Sequence, residues 1–390
     1  MSGPDESHLV AVILAPPDAA DAIRQVWDRA GAVVVLDPAH PRLGDLIAAV
    51  EPTDVVDGSG RHSRPEGRPV DPSVGAVVAT SGTTGEPRFV ELTTVGLAAS
   101  AAAVHHALGV DPARDRWLAC LPLTAVAGLA IVARAHTTGT PLSVQPRFDP
   151  TLVASAAAEC SLVSLVPTTL ARLLDADATA AARFRRVLLG GAPIPPALRA
   201  RAAAAGVNVV TTYGLTETGG GCVHDGHTLE GVEIDLAPDS SEVLVRGPVV
   251  MRGYRNGSTH AAEESWRGDW LRTGDVGRRG AHGVLEIVDR LKDLIITGGV
   301  NVSPTAIESA YASTPGIADI AIVGEPDPEW GERVVACIVP VDASVPPSLA
   351  DLRSAGVDAG LRAADLPRAL RLVTAIPRTP TGKILRRLLR

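Results

Sequence analysis

The 390-residue sequence is 46% hydrophobic, enough for one large core and a second, smaller domain, and only 3% aromatic, so Ala, Val, Leu and Ile must fill those cores. Its net charge of -8 excludes a general phosphate-backbone binder, and nucleic acid is not an expected partner. With no apolar run long enough to cross a bilayer and an acidic start (MSGPDESHLV) unlike a secretion signal, a soluble, cytoplasmic protein without membrane insertion is expected.

Residues 8 to 57 alternate apolar runs (Leu9 to Leu14, Ala32 to Leu36) with helical stretches (Asp18 to Ala30, Leu43 to Val50), the order of a layered α/β domain. Residues 58–73 (GSGRHSRPEGRPVDPS) are polar and rich in Gly, Pro and Arg, and read as a surface linker. From Val74 to about Asp289, buried-type strands (GAVVAT, CSLVSLV, RVLLGG, EVLVRG) are predicted between Ala-rich helices such as Thr94 to Leu108 and Ala197 to Ala205. A shorter set follows, with strands near Leu294 to Ile296, Ile320 to Val323 and Val334 to Val339, and then a basic tail. The predicted fold is α/β, with a large layered N-terminal domain over residues 1–289 and a small α+β domain over 290–390. The cysteines Cys120, Cys160, Cys222 and Cys337 form no CxxC pair, so neither disulfides nor zinc is suggested, and Cys222, His224 and His227 lack the paired spacing of a metal site. His105 and His106 are read as surface or partly buried helix residues.

Several segments carry chemistry. The strand Gly75 to Ala79 runs into Thr80-Ser81-Gly82-Thr83-Thr84-Gly85-Glu86-Pro87-Arg88, whose backbone N–H groups and hydroxyls suit a polyphosphate, although such a run also suits a flexible turn. Tyr213-Gly214-Leu215-Thr216-Glu217-Thr218 offers a flat ring for a purine and a carboxylate that can share Mg²⁺ with phosphate oxygens. In Trp270 to Asp275 an acid follows a Gly turn, and one carboxylate can accept from both hydroxyls of a ribose. Asp289-Arg290-Leu291-Lys292-Asp293, Gly298-Gly299 and the closing Pro377 to Lys383 complete the series. Of the 36 basic side chains only Lys292 and Lys383 are lysine and the other 34 are arginine, which marks both lysines as places where a compact, rotatable ammonium is needed.

In this order TSGTTGEPR, YGLTET, WLRTGD, DRLKDLIITGG and PRTPTGK resemble the successive core motifs of the adenylate-forming acyl-CoA synthetase superfamily, over residues 72 to 390. Within it, GGGCVHDGHTLEGVEID, LLGGAPIPP and LPLTAVAGL resemble the short o-succinylbenzoate-CoA ligases of menaquinone biosynthesis. The resemblance implies a ligase that uses ATP and Mg²⁺ to adenylate a carboxylic acid and passes the acyl group to coenzyme A. It implies that Thr80, Ser81, Gly82, Thr83, Thr84 and Gly85, with Arg88 in place of a frequent lysine, hold phosphates, and that Thr216 and Glu217 serve phosphate and Mg²⁺. Gly191, Ala192 and Pro193 with Tyr213 and Gly214 would flank the adenine, and Asp275 and Arg290 the ribose. Lys292 would be the hinge of a mobile small domain, Gly298 and Gly299 would line the thiol's route, and Lys383 would complete the adenylation site. Two positions depart from the pattern near the expected acyl pocket, with Ala125 in place of a histidine and His224 in place of a tyrosine; Arg134 and Thr124 are the candidates for a second carboxylate. Another aryl or short acyl acid, a carrier-protein acceptor, and a non-catalytic nucleotide binder stand as the alternatives.

Overall fold

The computed structural model describes residues 7–80, 87–256, 264–312, 314–378 and 384–390. The chain divides into two compact units: Met1–Pro193, Leu198–Asp235 and Leu244–Thr273 make the first, and Ile194–Ala197, Leu236–Val243 and Gly274–Arg390 the second.

The first unit opens with β1 (Leu9–Val12), α1 (Pro16–Trp27), β2 (Ala32–Val35), α2 (Leu43–Val50) and β3 (Asp54–Asp57), the expected alternation. Every residue of β1 and β2 is buried and the two pair in parallel, as unbroken apolar runs require when both faces of a sheet are covered. α1 buries Ala19, Ala20, Ile23 and Val26, a stripe at helical spacing. The segment read as a linker contains a strand, β4 (Gly60–Ser63), antiparallel to β3. All its residues are exposed and it forms the sheet edge, so the pairing is held by backbone hydrogen bonds and no apolar pattern marks it in the sequence. With β5 (Val74–Thr80), β6 (Arg88–Thr93) and the short strand Gly253–Tyr254, the sheet runs Gly253–Tyr254, β6, β5, β2, β1, β3, β4.

A second sheet is built from β7 (Trp117–Ala119), β8 (Leu142–Val144), β9 (Leu162–Leu165), β10 (Arg186–Gly190), β11 (Val209–Leu215), β12 (Gly220–His224) and β13 (His227–Thr228), in the order β13, β12, β11, β10, β9, β7, β8. Neighbours from β8 to β11 are parallel, and β12 turns back antiparallel to β11. β11 runs on to Leu215 and so carries Tyr213 and Gly214 within it. Between the sheets in sequence, α3 (Thr94–Leu108) starts at Thr93, whose hydroxyl accepts from Gly96 N at 2.9 Å, and ends at Gly109 in the left-handed region; α4 is Val126–Thr138.

In the second unit the long strands Ile317–Asp327 and Gly331–Pro340 pair antiparallel, Ile295–Thr297 and Ala369–Leu372 join the latter, and Val300–Val302 pairs with Ile295–Thr297. Alternation separates the two faces. Ile320, Ile322, Val334, Ala336 and Ile338 pack with Ile307, Tyr311 and Leu352 of the helices Pro304–Tyr311 and Leu349–Asp358, whereas Ala321, Val323, Val335 and Cys337 are covered by Ile376 and Leu389. The basic tail contains a single 3-10 turn, Arg386–Leu388.

Candidate active site

Parallel register brings the first set of expected residues together. Gly190 at the end of β10 lies opposite Thr212 of β11, so Gly191, Ala192 and Pro193 leave the sheet beside Tyr213 and Gly214. The glycines here are required: a Cβ on Gly190 would meet Thr212 O at 2.5 Å, and one on Gly214 would meet Gly220 O at 1.9 Å, where the β11–β12 register shifts. β11 ends in the 3-10 turn Thr216–Thr218. Thr218 is buried and fastens this turn, its Oγ1 accepting from Leu215 N at 2.9 Å and donating to Gly220 O at 2.7 Å. That leaves Thr216 and Glu217 half-buried at the sheet's carboxyl end, where parallel sheets place their sites.

Thr80 closes β5 opposite Arg88 of β6, and its hydroxyl donates to Arg88 O at 3.4 Å. Ser81, Gly82, Thr83, Thr84 and Gly85 lie outside the described residues, as does Lys383. Two residues missed in the sequence reading hold the far end of this loop. Asn256 accepts from Phe89 N at 3.0 Å and donates to Pro87 O at 3.0 Å, clamping the backbone on both sides of Arg88. Tyr254 lies under the Arg88 guanidinium, 5.4 Å from the ring centroid, and its hydroxyl donates to Glu217 Oε1 at 2.8 Å. Burial and the Glu217 charge push the Tyr254 phenol up to about 12, so it remains a donor. Tyr254 therefore links Arg88 to Glu217. The available signal was only the Gly-Tyr-Arg-Asn run itself, in a chain with 3 tyrosines.

Among the described residues no group of three or more His, Cys, Asp or Glu could hold a metal ion. A single half-buried carboxylate oriented by a phenol fits Mg²⁺ held jointly with phosphate oxygens and water, the arrangement this small, reluctantly dehydrated ion favours.

Close by in the first unit is a buried cation. Arg134 of α4 is 4% exposed, its Nε has no hydrogen-bond partner among the described residues, and burial lowers it to about 10 with no carboxylate acting against the shift. Its guanidinium lies 5.6 Å from the Trp117 ring centroid, and a Cβ on Gly220 would come within 3.8 Å of its Nη2. His224 of β12 is buried opposite Thr212, and neither of its ring nitrogens nor Thr212 Oγ1 finds a partner among the described residues. Burial first, then the charge of Arg134, lowers His224 to about 4. His105, which the sequence reading left at the surface or partly buried, is buried and accepts from Trp117 Nε1 at 3.0 Å; burial and Arg134 lower it too to about 4. Both imidazoles are neutral at pH 7, leaving Arg134 as the buried positive charge that acts on them. Thr124 is half-buried in the loop before α4.

The remaining expected residues belong to the second unit. Asp275 and Arg290, both assigned to a ribose, are direct cross-strand partners, with Arg290 Nε donating to Asp275 Oδ1 at 2.7 Å and Asp275 5% exposed. Lys292 is exposed on the 3-10 turn Leu291–Asp293. Gly298 and Gly299 form the two-residue turn between Ile295–Thr297 and Val300–Val302, with φ of +57° and +77°, the left-handed pair such a hairpin needs. Gly298 N donates to Trp330 O at 2.8 Å, and the Trp330 ring, covered by Arg368 at 3.8 Å, leaves a Gly298 Cβ only 2.9 Å of room.

Residues 6–255 match the family model for AMP-binding enzymes, and residues 306–383 the model for the AMP-binding enzyme C-terminal domain. The chain is 39% identical over 329 residues to a probable 2-succinylbenzoate–CoA ligase of Mycobacterium tuberculosis, an alignment covering 82% of this chain and 84% of the relative. Its structure resembles o-succinylbenzoate CoA synthetase from Bacillus subtilis in complex with the acyl-adenylate intermediate, with a TM-score of 0.85 and 27% identity over 99% of this chain and 89% of the other. The same Bacillus subtilis enzyme in complex with ATP and magnesium ion matches with a TM-score of 0.85 and 26% identity, over 99% of this chain and 90% of that one.

Proposed function

The chain belongs to the AMP-binding enzyme family, and on that premise we propose that it is an AMP-forming acid–thiol ligase that adenylates o-succinylbenzoate and transfers the acyl group to coenzyme A. In the first half-reaction a carboxylate oxygen of the acid attacks the α-phosphorus of ATP and pyrophosphate leaves. In the second, the thiol of coenzyme A loses its proton, its sulfur attacks the acyl carbon, and AMP leaves.

The roles follow from chemistry. Thr80 to Gly85 and Arg88 bind the polyphosphate, with Asn256 fixing the loop's exit and Tyr254 orienting Glu217. Mg²⁺, when bound at Glu217, supplies neutralisation of phosphate charge. Tyr213, Gly214 and Gly191 to Pro193 flank the adenine. Asp275, held by Arg290, accepts from the ribose hydroxyls. Lys383 supplies an ammonium whose three rotatable donors offset the repulsion between two anions, the incoming carboxylate and the α-phosphate. Lys292 is the hinge, and Gly298 and Gly299 line the path of the thiol.

The observation that carries the choice of acid is Arg134. A guanidinium buried without a carboxylate partner among the described residues is held at a large desolvation penalty unless an anion arrives with the ligand, and o-succinylbenzoate brings a second carboxylate. In a steady-state assay Arg134→Met is expected to raise KM for o-succinylbenzoate by roughly 10-fold to 100-fold, the size of a charge-assisted pair, and to leave KM for 4-oxo-4-phenylbutanoate, which lacks the ring carboxylate, within about twofold. Equal effects on the two acids would remove Arg134 from this role. No pyrophosphate release from o-succinylbenzoate by the unaltered protein would remove the substrate.

A further inference from the structure

Two glycines leave space around Thr212 in the second sheet. In register, Thr212 of β11 lies between Gly190 of β10 and His224 of β12. A Cβ on Gly190 would meet Thr212 Cγ2 at 2.6 Å, and one on Gly221 would overlap Thr212 Oγ1 and come within 3.6 Å of His224 Nε2. Hydroxyl and imidazole therefore border one small space, which any side chain at position 221 would fill.

The groups bordering it are polar and unsatisfied. Thr212 Oγ1 and both ring nitrogens of His224 are buried without a hydrogen-bond partner among the described residues, and His224 is only 5% exposed. Buried polar groups left unpaired are costly, and three on two neighbouring side chains point to a ligand that supplies the partner. His105 gives the contrast: it is buried in the same unit, but its ring accepts from Trp117 Nε1 and so is held by the protein itself.

One residue along β12, Gly220 borders Arg134. A Cβ there would lie 3.8 Å from Arg134 Nη2, and consecutive Cα atoms are only about 3.8 Å apart. After burial, the charge of Arg134 is the cause that keeps the His224 imidazole neutral. Thr212 and His224 thus lie beside the cation assigned to the ring carboxylate. In o-succinylbenzoate the keto carbonyl is attached to the ring carbon next to the one that bears this carboxylate, so whatever receives the keto oxygen must stand beside whatever receives the carboxylate. That oxygen has two lone pairs; a neutral imidazole can donate one N–H and a hydroxyl one O–H.

We propose that Thr212 and His224 are specificity-determining residues that donate to the keto oxygen of the acid, so that the site distinguishes a 4-oxo acid from its methylene counterpart. This rests on the reading of Arg134 as the partner of the ring carboxylate. A site with buried donors placed for a substrate oxygen rejects the analogue that lacks it, because the donors are then left unpaired.

The test measures pyrophosphate release by the full-length protein with three acids: o-succinylbenzoate; 4-oxo-4-phenylbutanoate, which keeps the ketone and lacks the ring carboxylate; and 4-(2-carboxyphenyl)butanoate, which keeps the carboxylate and has a methylene for the ketone. The unaltered protein is expected to show a KM roughly tenfold higher for the methylene acid than for o-succinylbenzoate. Thr212→Val and His224→Leu should each raise KM roughly tenfold for the two keto acids and leave it within about twofold for the methylene acid. Arg134→Met should instead act on the two acids that carry the ring carboxylate. If His224→Leu does not fold, the nearly isosteric Thr212→Val carries the test. An unchanged KM for o-succinylbenzoate in the Thr212 and His224 variants, or equal changes across all three acids, overturns the assignment of the keto oxygen while Arg134→Met still reports on the carboxylate. Equal effects of Arg134→Met on all three acids overturn that reading and the proposal with it.

Discussion

Replacing Tyr254 by Phe removes one hydroxyl and little else. The ring that lies under Arg88 at 5.4 Å is retained, so the change isolates the 2.8 Å hydrogen bond to Glu217. A hydrogen bond to a charged acceptor contributes about 1.5 to 3 kcal/mol, and because Glu217 is half-buried and water can replace part of the loss, the lower figure applies. Since about 1.4 kcal/mol corresponds to a tenfold change in an equilibrium, KM for MgATP should rise roughly tenfold in Tyr254→Phe. Pyrophosphate exchange measured across ATP and Mg²⁺ concentrations reads this directly. Because the phenol is pushed up to about 12, the unaltered enzyme should show no activity limb from Tyr254 between pH 7 and 10. A variant whose KM for MgATP and Mg²⁺ requirement both stay within about twofold of the unaltered protein would show that the phenol does not orient a metal-binding carboxylate.

His224 sets an acid limit on stability. Its value falls from 6.5 to about 4 in the folded protein, so the unfolded chain takes up a proton that the folded chain refuses; the contribution is full above about pH 6.5 and is lost as pH falls towards 4. His224→Gln should flatten unfolding free energy against pH in that window by about 1.4 kcal/mol per pH unit, read from denaturant titrations, and an unchanged slope would exclude His224 as its source. Gly298→Ala forces a Cβ into the left-handed region and to 2.9 Å from Trp330, so thioester formation from the preformed adenylate should slow by about tenfold while pyrophosphate release stays near normal; equal slowing of both would take the turn off the thiol's path.

What the sequence discloses is largely what local chemistry encodes. β1 and β2 announce themselves as unbroken apolar runs, and α3 as an Ala-rich stretch between Thr93 and Gly109. β4 was hidden because an exposed edge hairpin needs no apolar side chain. Tyr254 and Asn256 were hidden because their partners are remote: Glu217 lies 37 residues away, and Phe89 and Pro87 lie 167 and 169 away. The burial of Arg386 could not be foreseen either, since a basic chain end reads as solvated until Glu308, 78 residues upstream, is known to face it. His224 was noticed only as a departure from a pattern, and its surroundings depend on the fold of β11, β12 and α4.

The imbalance of 34 arginines against Lys292 and Lys383 takes on a physical meaning once the partners are known. Arg255, buried in the first unit, donates to the carbonyls of Val50, Glu51, Arg68 and Pro69; Arg185 grips both oxygens of the buried Asp115 and the Leu108 carbonyl; Arg386 donates to the Glu308 carboxylate and the Ile322 carbonyl. In each case a flat, five-donor fork satisfies several fixed acceptors at once, and a lysine would leave some of them unpaired. Those are static duties. Adenylation asks the reverse of its cation, which must follow a carboxylate as it closes on phosphorus and then withdraw so that a thiol can use the same space. A guanidinium locked by bidentate geometry is poorly suited to letting go, whereas an ammonium on a four-carbon stem makes and breaks its contacts one at a time. Lys383→Arg should therefore retain charge and stability yet lose most adenylation, and a variant adenylating at the unaltered rate would show that charge alone, not the mobile point geometry, is what that position supplies.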